Sequence, residues 1–198
     1  ANNTEPHLGV ILNYDKQVDE KSPKLRTPVS VSRGKIAVGK CVLGVIGAGN
    51  FGRSVLLPCL KKIDGVELHT LVTGRGISAD HTAEMFGFSH SDTQDKAVFE
   101  NADINAVLIA TPHSSHAALA TRALEAGKNV LVEKPLALDR EQLNNVIRAR
   151  LKSDSFLSVG FNRRFAPMAV QARDRFAQLA GTKYALLRVN AGQLPENS

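Results

Sequence analysis

Three glycines have the spacing of a phosphate-binding loop, in the hexapeptide Gly47-Ala48-Gly49-Asn50-Phe51-Gly52. The hexapeptide follows an apolar run at 41–46 and precedes a helical pattern, which is the context that a dinucleotide site requires. Glycine there permits a tight turn and brings the backbone close to a pyrophosphate, and the helix N-terminus supplies N–H donors. We expect a dinucleotide to contact Gly47, Gly49, Asn50, Phe51 and Gly52. An ordinary glycine turn and an S-adenosylmethionine loop are the alternatives.

The second apolar run, 66–72, ends without the acidic residue that usually binds the adenosine ribose about 20 residues beyond the glycines. In its place stand Thr73, Gly74 and Arg75. A guanidinium matches a phosphate with two parallel hydrogen bonds, so Arg75 beside a small hydroxyl residue suits a 2′-phosphate. We therefore expect Thr73 and Arg75 at the ribose, with NADP slightly preferred over NAD. A solvated loop arginine is the alternative.

Two histidines stand in the loop Thr111-Pro112-His113-Ser114-Ser115-His116, directly after a third apolar run. Ligands of a doubly wound sheet bind beyond the carboxyl ends of its strands, so this loop is expected to border the cofactor. His113 and His116 could be zinc ligands, but no cysteine or third histidine stands at a suitable spacing. The sequence therefore predicts no metal site and favours a helix-capping or cofactor-contacting role for the loop.

A lysine follows the fourth apolar run, in Glu133-Lys134-Pro135. A lysine at the carboxyl end of a buried strand can be partly desolvated and held beside a substrate. Lys134 is therefore a candidate general acid or base for a substrate hydroxyl. An ordinary surface lysine is the alternative.

The elements that must position these residues are short apolar runs alternating with amphipathic helical patterns. The runs lie at 41–46, 66–72, 106–110, 129–132 and 156–159, and the helical patterns at 50–62, 78–86, 114–126 and 139–151. Asn50, Ser78, Ser114 and Asp139 can cap the helices, and Gly127 is expected at a helix C-terminus. This alternation predicts an α/β fold of the Rossmann type, a doubly wound parallel sheet. A further helix at 167–179 and a strand at 184–189 would begin a second α/β domain.

Together these motifs resemble the Gfo/Idh/MocA family, which includes glucose-fructose oxidoreductase and inositol dehydrogenase. The resemblance covers about 44–192 and rests on GVIGAGNFG, ATPHSSHAALATRALEAGKNVLVEKPLAL and VGFNRRFAPM. It implies an oxidoreductase with an NAD- or NADP-binding Rossmann domain, followed by an α/β domain that carries a sugar or polyol site and often mediates oligomerisation. A non-catalytic dinucleotide-binding or regulatory module is the alternative.

The resemblance also implies roles for individual residues. Glu133 would contact the nicotinamide ribose, Lys134 would be the catalytic lysine with a cis peptide to Pro135, and Arg163 would approach the nicotinamide or the substrate. The remaining contacts on the nicotinamide side would be Thr111, Pro112, His113 and His116. The family often has Asn where this chain has His113.

Three further sequence segments resemble a subgroup of the family in which this module follows a zinc-dependent, alcohol-dehydrogenase-like domain. The segments are GNFGRSVLLPCLKK, RVNAGQLP and the N-terminal LGVILNY. The resemblance implies three parts: a strand and linker from the upstream domain at 1–40, the Rossmann domain at 41–160, and the start of the substrate and oligomerisation domain at 161–198. Because the family's later catalytic motif is absent from these 198 residues, we expect them to be inactive alone, to self-associate, and to belong to a homo-oligomer.

Charge and composition exclude other classes of function. The net charge is +6, and the first 40 residues, with seven Lys or Arg against four acidic residues, carry +3 of it. This distribution argues against a nucleic-acid-binding face. No apolar stretch approaches the ~20 residues of a membrane span, and the N-terminus lacks a secretory pattern. The two cysteines, Cys41 and Cys59, are expected in the core of a cytoplasmic protein.

Overall fold

A computed structural model describes residues 39–74, 76–182, 184–186 and 188. All of these residues lie in the unit Ala37–Ser198. Six strands form one sheet: β1 Cys41–Ile46, β2 Val66–Val72, β3 His90–Asp92, β4 Ala106–Ile109, β5 Asn129–Val132 and β6 Leu157–Val159. The helices are α1 Leu57–Leu60, α2 Gly76–Phe86, α3 Lys96–Phe99, α4 His116–Glu125, α5 Arg140–Lys152 and α6 Pro167–Gln178. A π-helix, Gly52–Leu56, leads into α1, and 3₁₀ turns lie at His113–Ser115 and Asn162–Phe165.

All strand pairs are parallel, in the order β3-β2-β1-β4-β5-β6. This order confirms the predicted doubly wound, Rossmann-type sheet. The chain starts with β1 near the middle of the sheet and adds β2 and β3 on one side of it. It then returns to add β4, β5 and β6 on the other side, so the order of the strands switches between β1 and β4. Their carboxyl ends open a crevice at that point.

Alternating side chains of the strands pack into two hydrophobic cores, one on each face of the sheet. On one face Leu43, Val45 and Leu108 pack with Leu57 of α1 and Phe86 of α2. On the opposite face the strands pack against α3, α4 and α5. The buried members there include Ile46, Val72, Val98, Phe99, Val107, Ile109, Ala120, Leu124, Val130, Val132 and Val146. Residues adjacent in a strand enter opposite cores because the side-chain period is two.

The first face is covered less well towards β5 and β6. Leu131 is the neighbour of the buried Leu108 in the β4–β5 register, yet its side chain is 39% exposed. Phe156, just before β6, is 59% exposed. Helices α1 and α2 pack over β1, β2 and β4 and leave this end of the face open in the described part of the chain.

The structure confirms some of the predicted helix ends and shifts others. Asp139 caps α5, since its side chain accepts a hydrogen bond from Gln142 N at 2.8 Å, and Gly127 has a φ of 70° after α4. Asn50 lies inside the first helical turns, and helix α2 begins at Gly76, before Ser78. Ser114 lies in a 3₁₀ turn that has no side-chain cap.

Two expectations are wrong where the structure describes them. Tyr184, Ala185, Leu186 and Arg188 lie outside any strand, because the described sheet ends at β6 and offers the segment no partner; the rest of 184–189 lies outside the described residues. Cys59 is exposed on α1, because it faces away from the core that the buried Leu57 enters; Cys41 is half-buried, and burial raises the pKa of its thiol.

None of the helices in the described residues combines the length and apolar character needed to cross a bilayer.

Candidate functional site

A cleft of about 1100 Å³ lies at the carboxyl ends of the strands, where the connections after the neighbouring strands β1 and β4 pass to opposite faces of the sheet. Ligands of doubly wound folds bind at this position. Every residue that the sequence predicted as a site residue lines the cleft, apart from Arg75, which lies outside the described residues. The lining includes Gly47, Gly49, Asn50, Phe51, Gly52, Thr73, Thr111, Pro112, His113, His116, Glu133, Lys134 and Arg163.

The glycine loop forms the floor of the cleft between β1 and the π-helix. Gly47 has a φ of 92°, its N–H donates to Val72 O at 2.8 Å, and an added Cβ would lie 2.6 Å from Ala110 O. A side chain at residue 47 is therefore excluded by the fold itself. At Gly49 an added Cβ would meet no atom within 4 Å. The loop is thus open above Gly49, where a pyrophosphate could approach the backbone.

The first residues of the helix after the loop, Asn50, Phe51 and Gly52, line the cleft. Its first helical hydrogen bond runs from Arg53 N to Gly49 O at 3.0 Å, so the N–H groups of residues 50–52 precede the helical pattern. The N-terminal end of a helix favours an anion. Phe51 is 41% exposed at the rim.

The outer side of the cleft is formed by β2 and β3. Thr73 is half-buried after β2 and its N–H donates to Asp92 O at 3.2 Å. Asp92 Oδ1 accepts hydrogen bonds from Thr93 N at 2.6 Å and Gln94 N at 2.8 Å. These bonds fold the chain after β3 so that Thr93, Gln94 and Asp95 also line the cleft.

Sequence reasoning missed this β3 segment, because a three-residue polar strand has no apolar run. The only signal was an aspartate followed by polar residues, which is typical of a turn.

The carboxylate of Asp95 is paired with the Arg122 guanidinium through both oxygens, and Arg122 lies 4.7 Å from the centroid of the Phe99 ring. The hydrogen bond to Asp95 raises the pKa of Arg122 further above its ordinary value.

The loop after β4 forms one inner wall. Ser115 Oγ donates to Thr111 Oγ1 at 2.7 Å and lies 2.8 Å from Pro112 O. His113 is exposed and its ring lies 5.7 Å from that of His116. His116 borders the cleft but is fully buried, with Nδ1 2.7 Å from Pro135 O and Nε2 2.8 Å from Thr111 O. Both of its ring nitrogens are thus occupied by backbone carbonyl groups.

Glu133 and Lys134 line the cleft beside this loop, at the end of β5. The Lys134–Pro135 peptide is cis, as the resemblance implied. Lys134 is exposed and lines the cleft, and its N–H donates to Glu133 Oε2 at 3.3 Å. The Glu133 carboxylate lies against the end of β6, since an added Cβ at Gly160 would be 2.7 Å from its Oε1. Asn162 and Arg163 complete this wall beyond β6.

The chemistry of these walls fits a dinucleotide. A backbone cradle and a helix N-terminus lie at one end, and Lys134, Glu133 and Arg163 lie at the other. Within the described residues no three His, Cys, Asp or Glu side chains gather as metal ligands.

A protein-family profile matches most of the described part of the chain. The profile of the Gfo/Idh/MocA oxidoreductase family, described as having an NAD-binding Rossmann fold, matches residues 42–161.

Curated relatives include two dehydrogenases. The chain is 34% identical over 125 residues to 4-carboxy-2-hydroxymuconate-6-semialdehyde dehydrogenase of Sphingobium sp., which covers 63% of this chain and 39% of that protein. It is 31% identical over 123 residues to myo-inositol 2-dehydrogenase of Thermotoga maritima, covering 62% of this chain and 36% of the relative. The chain spans about two fifths of the length of the curated relatives it matches.

Solved structures with the same fold include KijD10, a 3-ketoreductase from Actinomadura kijaniata in complex with TDP-benzene and NADP. It has a TM-score of 0.65 and 29% identity over 71% of this chain and 44% of that one. A levoglucosan dehydrogenase in complex with NADH and L-sorbose has a TM-score of 0.63 and 27% identity, over 70% of this chain and 39% of that one.

Proposed function

The chain belongs to the Gfo/Idh/MocA oxidoreductase family, and on that premise we propose that it forms the cofactor-binding part of an enzyme that transfers hydride between NADP or NAD and a sugar, polyol or related hydroxy compound. One observation carries the proposal. The open glycine loop and Lys134 line the same cleft, the loop after β1 and the lysine after β5 on the β4 side of the sheet. A cofactor held by the loop would therefore extend towards the lysine.

Each wall of the cleft has a distinct role in this proposal. The bound nicotinamide would supply hydride transfer at its C4 atom. The loop at 47–52 binds the pyrophosphate, Thr111 and His113 border the nicotinamide, and Glu133 binds its ribose. Lys134 gives a proton to the carbonyl oxygen of the substrate during reduction and takes it back from the hydroxyl during oxidation.

The relatives support the substrate class. The names of the relatives and solved structures include an inositol dehydrogenase and a levoglucosan dehydrogenase, the latter bound to L-sorbose. We propose that residues from 161 begin a substrate domain, since Asn162 and Arg163 reach the cleft while α6 buries none of its residues. We also propose that a zinc-dependent, alcohol-dehydrogenase-like domain precedes this region in the full protein. The full protein would be a homo-oligomer in the cytoplasm.

The Lys134→Met substitution tests the enzymatic role in the full protein that contains this sequence. We expect kcat for NAD(P)-linked oxidation of myo-inositol, or of whichever polyol in a panel the wild type turns over, to fall by a factor of about 10² to 10⁴. The dissociation constant for NADPH should change little, because the glycine loop is intact. Lys61→Met, which removes an exposed lysine outside the cleft, is the matched control. Unchanged turnover in Lys134→Met, or a wild type that binds NADPH and oxidises none of the panel, would favour a non-catalytic binding module.

The NADP preference has a separate test. The described end of β2 offers Val72, Thr73 and Gly74 and no carboxylate, and the nearby Asp95 is paired with Arg122. We expect Arg75→Ala to raise the dissociation constant of NADPH about tenfold, since charge-assisted hydrogen bonds contribute about 1.5–3 kcal/mol. The constant for NADH should stay within a factor of about two, because NADH lacks the 2′-phosphate. An unchanged ratio of the two dissociation constants would contradict the assignment of Arg75 to the 2′-phosphate.

A further inference from the structure

We propose that His116 is a positioning residue, whose buried ring ties the turn at Thr111 to the Lys134–Pro135 segment and so fixes where Lys134 stands over the cofactor. The inference rests on the proposed function, because it concerns the placement of the proposed catalytic lysine. It replaces the contact between His116 and nicotinamide that the family resemblance implied.

The ring joins two separate loops. Its Nδ1 lies 2.7 Å from Pro135 O and its Nε2 lies 2.8 Å from Thr111 O, and none of the residue is exposed to solvent. A ring with one N–H donates to one of these oxygens, and a doubly protonated ring donates to both. An aliphatic side chain of similar size would donate to neither.

The link lies beyond the end of the sheet. The β4–β5 register ends at Ile109 and Val132, and the last bond between these two segments runs from Glu133 N to Ile109 O at 2.9 Å. Thr111 and Pro135 each stand two residues further on. His116 therefore continues the connection past the point where the backbone ladder stops.

Both ends of the link carry a residue of the cleft. Thr111 lines the cleft itself and is also held by Ser115 Oγ at 2.7 Å, while Pro135 directly follows Lys134. Lys134 is exposed, so its position depends mainly on its backbone. A change at His116 would release that backbone, while the loop at 47–52 keeps the hydrogen bond from Gly47 N to Val72 O.

The chain contains a matched control for this arrangement. Lys128 is also buried, and its Nζ donates to two backbone carbonyl groups, Asn101 O at 2.6 Å and Ile104 O at 2.8 Å. These groups lie outside the cleft. Lys128→Met therefore removes a comparable pair of hydrogen bonds and leaves the walls of the cleft alone.

The experiment measures how strongly bound NADP⁺ protects Lys134 from acetylation by sulfo-N-hydroxysuccinimide acetate, read by peptide mass spectrometry in the full protein. Wild type, His116→Leu, His116→Gln and Lys128→Met are compared at saturating NADP⁺, with the dissociation constant of NADP⁺ measured in parallel. We expect His116→Leu to lose most of the protection with its affinity for NADP⁺ nearly unchanged. Lys128→Met should keep wild-type protection, and His116→Gln, whose amide retains two N–H donors, should restore part of it.

The outcomes separate the two proposals. Wild type that binds neither NADP⁺ nor NAD⁺, or binds one of them without protecting Lys134, overturns the proposed function and this inference with it. Wild type that protects Lys134, with equal protection in His116→Leu, overturns the positioning role alone. An equal loss in Lys128→Met also overturns it, because general destabilisation then explains the effect. If His116→Leu does not fold, His116→Asn, whose shorter amide cannot span both carbonyl groups, takes its place, and it must lose protection relative to His116→Gln.

Discussion

Gly47 and Gly49 stand two residues apart in one loop and lack side chains for different physical reasons. At Gly47 a Cβ would collide with the backbone of Ala110, and the φ of 92° disfavours any other residue. At Gly49 a Cβ would meet nothing in the protein. The first glycine is therefore required by the fold, whereas the described residues leave room for a side chain at the second, where we propose that the pyrophosphate approaches.

This difference predicts opposite behaviour for two substitutions. We expect Gly49→Val to leave the free energy of unfolding nearly unchanged and to raise the dissociation constant of NADPH at least about tenfold, or about 1.4 kcal/mol. Gly47→Val should lower the free energy of unfolding by about 1–3 kcal/mol, because of backbone strain and the contact with Ala110. Urea denaturation and NADPH fluorescence titration measure the two effects. Destabilisation by Gly49→Val, with unchanged NADPH affinity, would contradict the distinction.

Lys128 shows how a single buried charge can anchor an element. It stands just before β5, and its two hydrogen bonds hold the segment 101–104 that leads into β4. Burial lowers the pKa of its ammonium group below the ordinary value. The unfolded chain therefore keeps this proton over a range of pH in which the folded protein has lost it.

We expect Lys128→Met to lower the free energy of unfolding at neutral pH by about 1–3 kcal/mol, because two carbonyl groups lose their donor. The stability difference between wild type and variant should grow as the pH rises through the lowered pKa of Lys128. It should level off above the ordinary lysine pKa of about 10.4. Chemical denaturation from neutral to alkaline pH measures this difference. A difference that shrinks as the pH rises would show that the charged form is the one favoured by the fold.

How far the elements could be predicted depended on their length and burial. Strands β1, β2, β4 and β5 are largely apolar runs of a parallel sheet, so composition alone located them. Strand β3 and helix α3 have three and four residues, too few for any periodicity to show. They bring Thr93, Gln94 and Asp95 to the cleft, and that part of the site was therefore missed.

The positioning role that we propose for His116 could not be predicted from the sequence, for a related reason. Spacing within a loop shows that a histidine is near a site, and it does not show where the ring points. The contacts of His116 reach Pro135, 19 residues away, through a backbone path that only the three-dimensional fold establishes. Lys134 was correctly expected at a strand end lining the cleft, because the position of a residue just after a parallel strand follows directly from topology.

At the scale of the whole molecule, the open end of one sheet face predicts association. Leu131 and Phe156 expose apolar side chains beside β5 and β6, where α1 and α2 do not reach. Exposed apolar surface of this kind favours contact with another protein surface. We expect these 198 residues to form dimers or larger species in light scattering at high concentration, and Leu131→Lys combined with Phe156→Lys to reduce them.

Leu151→Lys is the control, because Leu151 is 80% exposed on α5, away from that end of the face. An equal reduction by this control would assign the association to general apolar exposure. A monomeric wild type at high concentration would contradict the prediction altogether.

The strand order β3-β2-β1-β4-β5-β6 also has a consequence for inheritance. The residues proposed to select the adenosine end of the cofactor come from the chain before β4, and Thr111, Glu133 and Lys134 come from β4 onwards. One contiguous stretch of the chain therefore contains the residues of the proposed cofactor choice, and the next contains those of the proposed chemistry. A single recombination event in the loop before Ala106 would exchange the first set of residues and leave the second set unchanged.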